Sequence, residues 1–271
     1  MRAAVVGHVE WLEFVPVEAV PRAGEIVHAE DSWEQAAGGG SVAAVQLTKL
    51  ADSVDFFTAL GNDERAERAR AELTARGITL HAAAVEGSQR SGFVFLDDAG
   101  ERTITTIGRK LHPRGHDDTL PWHELARCDC VYYCAGDGDA LLNARRARVL
   151  VATARELSTL RQASVSLDAL VSSGKDEAER YHSGEIDPEP ELVVTTSGAL
   201  GGWAQPGGPY NPAPLPPERH DAYGAGDCFA AGLAFALAAG LEGLDALEFA
   251  SRCGVGALGG PGVHAEAVPL P

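Results

Sequence analysis

Short apolar runs and helix-forming segments alternate along most of this chain, and that rhythm constrains the fold more than any single residue does. AAVVGHV (3–9) is a β-type run, and GSVAAVQLTKLA (40–51) has helical spacing after a run of glycines. VDFFTAL (54–60) reads as a strand that stops at Gly61-Asn62-Asp63. ERAERARAELTARG (64–77) reads as a helix, polar on one side, with Gly77 as its C-cap. ITLHAAA, CVYYCA, ASVSLDAL and ELVVTTS are further strands, with helical segments between them such as DALLNARRARVLVATARELSTL (139–160). Strands joined by helices form a parallel sheet with helices on both faces. The expected class is α/β: a three-layer α/β/α sandwich with a mainly parallel central sheet.

Two pieces break the rhythm. Region 10–35 and the stretch GFVFLDDAGERTITTIG (92–108) read as strands outside the main sheet, the second as a hairpin around its D-D-A-G-E turn. Together, segments of about 10–35 and 85–110 would form a small β-sheet lid over the ends of the parallel strands. QPGGPYNPAPLPPERHD (205–221) reads as a surface connection. With 271 residues, 45% of them hydrophobic, the chain can bury one large core, so 1–271 is expected to be a single domain.

The formal net charge of -17 weighs against nucleic acid or an anionic membrane as partner. It does not forbid an anionic substrate, because helix N-termini bind phosphate locally. No apolar run reaches the roughly 18–20 residues a spanning helix needs. The start, MRAAVVGHVEWLEF, lacks a long apolar segment and a small-residue cleavage site, so the expected location is the cytoplasm. Five cysteines, an odd number, argue against a disulfide framework. CDCVYYC fits a buried strand better than a zinc site, which wants C-x2-C pairs.

DAYGAGDCFAAG (221–232) carries the chemistry. Three tiny residues, Gly224, Ala225 and Gly226, precede Asp227 at the front of an alanine-rich helical run. Amides at a helix start have no intrahelical partner and carry the positive end of the dipole, which makes an anion hole. The carboxylate beside it can accept a proton from an alcohol. That pair suits transfer of a phosphoryl group to a hydroxyl. Taken alone, the string is read first as an N-capping loop with a helix-start acid, worth about 0.5–2 kcal/mol.

The fuller pattern D-x-x-G-A-G-D-x-F-x-x-G, from Asp221 to Gly232, strongly resembles the C-terminal signature of the ribokinase-like (PfkB) carbohydrate kinase family. Gly38-Gly39-Gly40-Ser41 resembles its N-terminal glycine run, TALGNDERAERARAELTARGI (58–78) its strand–turn–helix unit, TSGALGGW (196–203) its nucleotide segment, and FASRCGVGALGGPG (249–262) its closing helix and loop. The resemblance spans nearly the whole chain and implies a ribokinase-like fold and an ATP-dependent sugar kinase. It implies Asp227 as catalytic base and Gly224, Ala225 and Gly226 as the hole for the γ-phosphate. Thr196, Gly198, Gly201 and Ser251 would bind the nucleotide. Glu10, Gly38, Gly39, Gly40 and Asp137 would face the acceptor, a sugar or related polyol. Mg²⁺ would be held through water by Glu177, and K⁺, where used, near Asp221. A homodimer would form through the lid.

Some positions depart from the family. Where it has Asn and Asp after the first strand, this chain has Glu10 and Leu12; the helix Asn is Ala43. Gly174 replaces the Asn of the N-x-x-E motif, and Ala222 replaces a Thr. Missing hydroxyl partners change acceptor specificity. Two alternatives therefore stand beside the sugar kinase: a kinase for a nucleoside or other non-sugar alcohol, and a catalytically impaired binding protein.

Overall fold

The computed structural model describes residues 1–98, 100–217 and 220–271. The first strand, β1 (Arg2–Val6), is buried on both faces and lies mid-sheet. Beside it on one side are β4 (Ser53–Leu60) and β5 (Thr79–Ala84). On the other are β8 (Cys130–Tyr133), β9 (Val149–Thr153), β10 (Ala169–Ser173) and β11 (Val193–Thr196). All of these pair in parallel. Two short antiparallel strands, β12 (Gly202–Gln205) and β13 (Gly208–Tyr210), finish the nine-stranded sheet. The second of these lies inside the Pro-rich stretch that reads as a plain connection.

Helices α1 (Gly39–Thr48), α2 (Glu64–Ala75), α5 (Ala225–Ala238) and α6 (Gly243–Gly256) pack into the core on one face. On the other lie α3 (Gly138–Ala144) and α4 (Leu157–Ala163). The three-layer expectation holds. Where α5 meets α6 the backbones approach closely: a Cβ on Gly232 would stand 2.6 Å from the Cys253 sulfur.

A second sheet is built from β3 (Trp33–Ala37), β2 (Glu10–Pro16), β6 (Ser91–Leu96) and β7 (Arg102–Ile107), in that order. Its β2–β6 pair is parallel and the others antiparallel. Both irregular sequence regions thus enter one small sheet.

Residues 139–160 do not form the single helix the sequence suggests. Val149–Thr153 is a strand, buried at every position. A doubly covered parallel strand is a continuous apolar run, and periodicity cannot separate it from a buried helix. ASVSLDAL is likewise displaced: Ser164 ends α4 with φ 48, and regular strand begins only at Ala169. All five cysteines are free and buried. Among the described residues no helix is long and apolar enough to cross a membrane.

Candidate active site

Strand order reverses at β1, whose neighbours are β4 and β8. Ligands of open α/β sheets bind at such a switch, outside the carboxyl ends of the strands. The segment after β1 supplies His8 and Glu10, and β8 carries Tyr132 there.

The N-terminus of α5 completes this end. Gly224 caps the helix with φ 76, a left-handed conformation in which an added Cβ would come within 2.7 Å of Val42. The amides of Gly226 and Asp227 have no acceptor among the described residues. A Cβ on Gly226 would meet nothing within 4 Å, so the first turn of α5 is uncovered at this residue. That is room and polarity for a phosphate.

Asp227 reaches from the first turn of α5 to the start of α1. Tyr132 donates its hydroxyl to Asp227 Oδ1 at 3.0 Å. A Cβ on Gly39 would lie 2.8 Å from the same oxygen. Any side chain at position 39 would therefore occupy the ground in front of the carboxylate. Burial, then the charge of Asp227, holds the Tyr132 phenol well above its ordinary value, so it stays a donor.

Gly38 and Gly40 continue this floor. The Gly38 amide donates to the Tyr223 hydroxyl at 2.9 Å, and a Cβ there would be 3.1 Å from the Glu10 backbone nitrogen and Cγ. A Cβ on Gly40 would be 2.7 Å from the His8 carbonyl oxygen. Glu10 is buried, 3.1 Å from Arg90 Nε and 3.8 Å from His8 Nε2. Burial raises its pKa, against the pull of Arg90 and Lys110. Burial pushes His8 down to about 3, and Lys110, Arg90 and Arg155 push the same way, so this imidazole is neutral. Leu12 and Ala43 are fully buried and offer no hydrogen bond.

The remaining candidates occupy distinct places. Thr196 ends β11 and donates to the Ser172 carbonyl at 3.2 Å. Gly198 follows with φ 59 and Lys175 nearby, and Gly201 is wedged against the Tyr210 carbonyl. Ser251 lies on α6, beside Arg252, whose buried Nε has no partner among the described residues.

Asp137 instead caps α3 on the opposite face, accepting from Ala140 and Gly115 amides. With His116 and Asp139 it forms a cluster that could hold a metal. Asp221 is buried, and its two oxygens accept from the amides of Tyr223 and Gly262. Burial raises its pKa while those amides oppose the rise. Glu177 points to solvent, with its side chain 79% exposed, and pairs with Arg180 at 2.6 Å. Two residues on, Glu179 turns inward and accepts from Arg155 at 2.6 Å and the Ser173 amide at 2.9 Å.

Tyr132, Arg90, Lys110, Arg155 and Glu179 escaped sequence reasoning. Tyr132 was hidden in a strand, and Arg155 in a stretch that reads as mid-helix. Recognising β9 would have placed Arg155 just past a strand end.

A family model described as pfkB family carbohydrate kinase matches residues 2–142 and 128–269. An ATP-dependent ribose-1-phosphate kinase from Halopiger xanaduensis is 25% identical over 275 residues, 94% of this chain and 90% of that protein. The ribokinase of Arabidopsis thaliana, solved with ribose and ATP, superposes with a TM-score of 0.71 at 17% identity, covering 98% of this chain and 96% of the other. Adenosine kinase from Sinorhizobium meliloti gives 0.73 at 14% identity, covering 97% and 95%. These two structures share the fold.

Proposed function

Because the chain belongs to the pfkB family of carbohydrate kinases, we propose that it transfers the γ-phosphoryl group of ATP to a hydroxyl of a sugar, with Asp227 as base. One observation carries the reading: the Asp227 carboxylate stands over Gly39, beside helix-start amides that have no acceptor among the described residues. An acceptor hydroxyl above Gly39 would give its proton to Asp227. Its oxygen then forms a bond to the γ-phosphorus as the bond to the ADP oxygen breaks. The amides of Gly226 and Asp227, with Gly224 and Ala225 shaping the turn, hold the charge of the moving group. Tyr132 keeps the carboxylate turned to the acceptor.

The nucleotide would lie along Thr196, Gly198, Gly201 and Ser251. Mg²⁺ would accompany it, its water ordered by Glu177, which would have to leave Arg180 and turn from solvent to do so. When bound, the ion neutralises phosphate charge. Potassium, if used, would take carbonyl oxygens of the loops that Asp221 ties together. Glu10 and Gly38 to Gly40 would face the acceptor, and Asp137, whose Oδ1 caps α3, would have only Oδ2 to offer it. The protein would act in the cytoplasm as one domain covered by its lid.

Replacing Asp227 by Asn should lower ADP release by about 10²–10⁴-fold while ATP still binds. Wild-type turnover in that variant would end the mechanism. A second reading, a nucleoside or other non-sugar alcohol kinase, is motivated by Leu12 and Ala43, which cannot grip sugar hydroxyls. ADP release across sugars, sugar phosphates and nucleosides separates the two. Tight acceptor binding without any ADP would instead mark a binding protein.

A lid-to-lid homodimer belongs to the same proposal. β7 is an edge strand exposed along its whole length, with Ile104 and Ile107 open to solvent. Such an edge is a template for another strand. Ile104→Pro, which removes an amide on the unpaired side of β7, should convert a dimer to a monomer in sedimentation; an unchanged mass would place the interface elsewhere.

A further inference from the structure

Three cations from three separate segments act electrostatically on both Glu10 and His8, and Arg90 stands 3.1 Å from the Glu10 carboxylate. Arg90 precedes β6, Lys110 follows β7, and Arg155 follows β9. The chain has 22 Lys and Arg against 39 Asp and Glu. Bases are scarce, so gathering three at one end of the sheet is not what composition supplies. Arg90 is placed by Glu10, whose Cγ lies against the Gly38 floor. Arg155 stands next to the strand that carries Tyr132 and, through it, Asp227. Lys110 is tied to Glu156, the residue after Arg155.

Each cation is braced from behind and keeps free donors in front. Glu179 and Glu156 are buried, while the Arg155 and Lys110 side chains are 61% and 33% exposed. Arg155 uses Nε for Glu179, and its two Nη groups make no hydrogen bond among the described residues. Lys110 has three donors and uses one. Arg90 Nε is buried, and although 3.1 Å from Glu10 it lacks hydrogen-bond geometry. His8 Nδ1 is also buried without a partner. Buried polar atoms are seldom left unpaired unless a ligand completes them. A ligand suited to these donors offers several acceptor oxygens and carries negative charge. A neutral sugar gives such a site hydroxyls alone. A phosphate monoester gives it three oxygens and close to two charges.

We propose that the acceptor is a phosphorylated sugar, and that Lys110 and Arg155, with Arg90, form the subsite for the phosphate it already carries. This rests on the kinase reading above, yet concerns binding and can be tested without turnover. Calorimetry on the full chain, without nucleotide, would compare ribose 1-phosphate, ribose 5-phosphate and fructose 6-phosphate with ribose, fructose and ribonate. At least one sugar phosphate should bind about a hundredfold more tightly than its parent sugar. Lys110→Met and Arg155→Met should each weaken it by about tenfold or more, with parent-sugar affinity moving less than about twofold. Lys110→Arg should retain it, and thermal unfolding would confirm that each variant is folded.

The proposal is overturned if parent sugars bind as well as phosphates, if ribonate binds best, if no sugar phosphate binds, or if the variants weaken both classes alike. It is also overturned if Lys110→Met and Arg155→Met weaken ATP binding and leave the acceptor untouched. ADP release then judges the kinase reading separately. Tight sugar-phosphate binding with no ADP keeps the subsite and rejects the kinase. ADP from an unphosphorylated sugar, with no sugar-phosphate binding, does the reverse.

Discussion

Gly39 and His8 show how single residues set this site. An added methyl at Gly39 would lie 2.8 Å from Asp227 Oδ1. Gly39→Ala must therefore push the carboxylate aside, and a displacement of about 1 Å can cost on the order of 10²-fold in rate. We expect kcat to fall by about that factor, with the unfolding midpoint nearly unchanged because alanine suits a helix start at least as well as glycine. A wild-type kcat would show that the ground in front of Asp227 is not the reaction site. His8 predicts a pH effect on stability. Its pKa is about 3 in the fold, from a reference of 6.5, with burial the main cause. The unfolded chain then binds the proton more readily. Stability is full above about pH 6.5 and falls as pH drops toward 3, by at most about 1.4 kcal/mol per pH unit and less where water screens the ring. Urea midpoints of His8→Gln between pH 6.5 and 4.5 should fall less steeply than those of wild type. Parallel curves would mean that His8 is not held neutral.

Among the elements, the loop before α5 depends on one buried acid. Asp221 fastens Tyr223 and Gly262 through their amides. Asp221→Ala leaves two amides unsatisfied at a buried site, a loss of about 1–3 kcal/mol. A urea series should show that loss. A variant as stable as wild type would mean that water replaces the carboxylate. Elements also explain what the sequence could and could not disclose. The GAGD turn was legible because glycines before a helix-start acid allow a left-handed turn and a close approach to the backbone that larger residues forbid, and the lid because β2, β6 and β7 alternate outside the helical rhythm. β9 was not legible, since VLVAT is apolar on both faces and sits between two short helices. Losing that strand hid Arg155, because a residue just past a strand end belongs to the site whereas one in mid-helix does not. The separate directions of Glu177 and Glu179 were not legible for a similar reason. Both fall in one short turn (Glu177–Glu179), and only its orientation sends one to solvent and the other to Arg155. Arg90 and Lys110 lie in loops flanking the lid, and only the folded chain brings them to Glu10 and Glu156.

At the scale of the whole molecule, charge opposes the fold that the core supports. A net charge of -17 on 271 residues repels itself over the surface. Many surface pairs relieve it locally, among them Arg68 with Glu34 and Arg76 with Glu72. Such exposed pairs contribute little each and leave the excess unbalanced. Salt shortens the reach of that repulsion, from about 10 Å at 0.1 M to about 3 Å at 1 M. Screening should therefore stabilise this protein, although it weakens the favourable pairs, because like charges outnumber opposite ones. The unfolding temperature should rise by about 3 °C or more between 0.05 and 1 M salt, given roughly 2–4 °C per kcal/mol for a chain of this size. Chloride salts of sodium and potassium separate screening from binding. Equal rises in both report screening alone. A larger rise in potassium, saturating well below 1 M and lost in Asp221→Ala, would report a bound cation at the loops that this acid ties together. A midpoint that falls with salt would mean that ion pairs, rather than repulsion, dominate the surface.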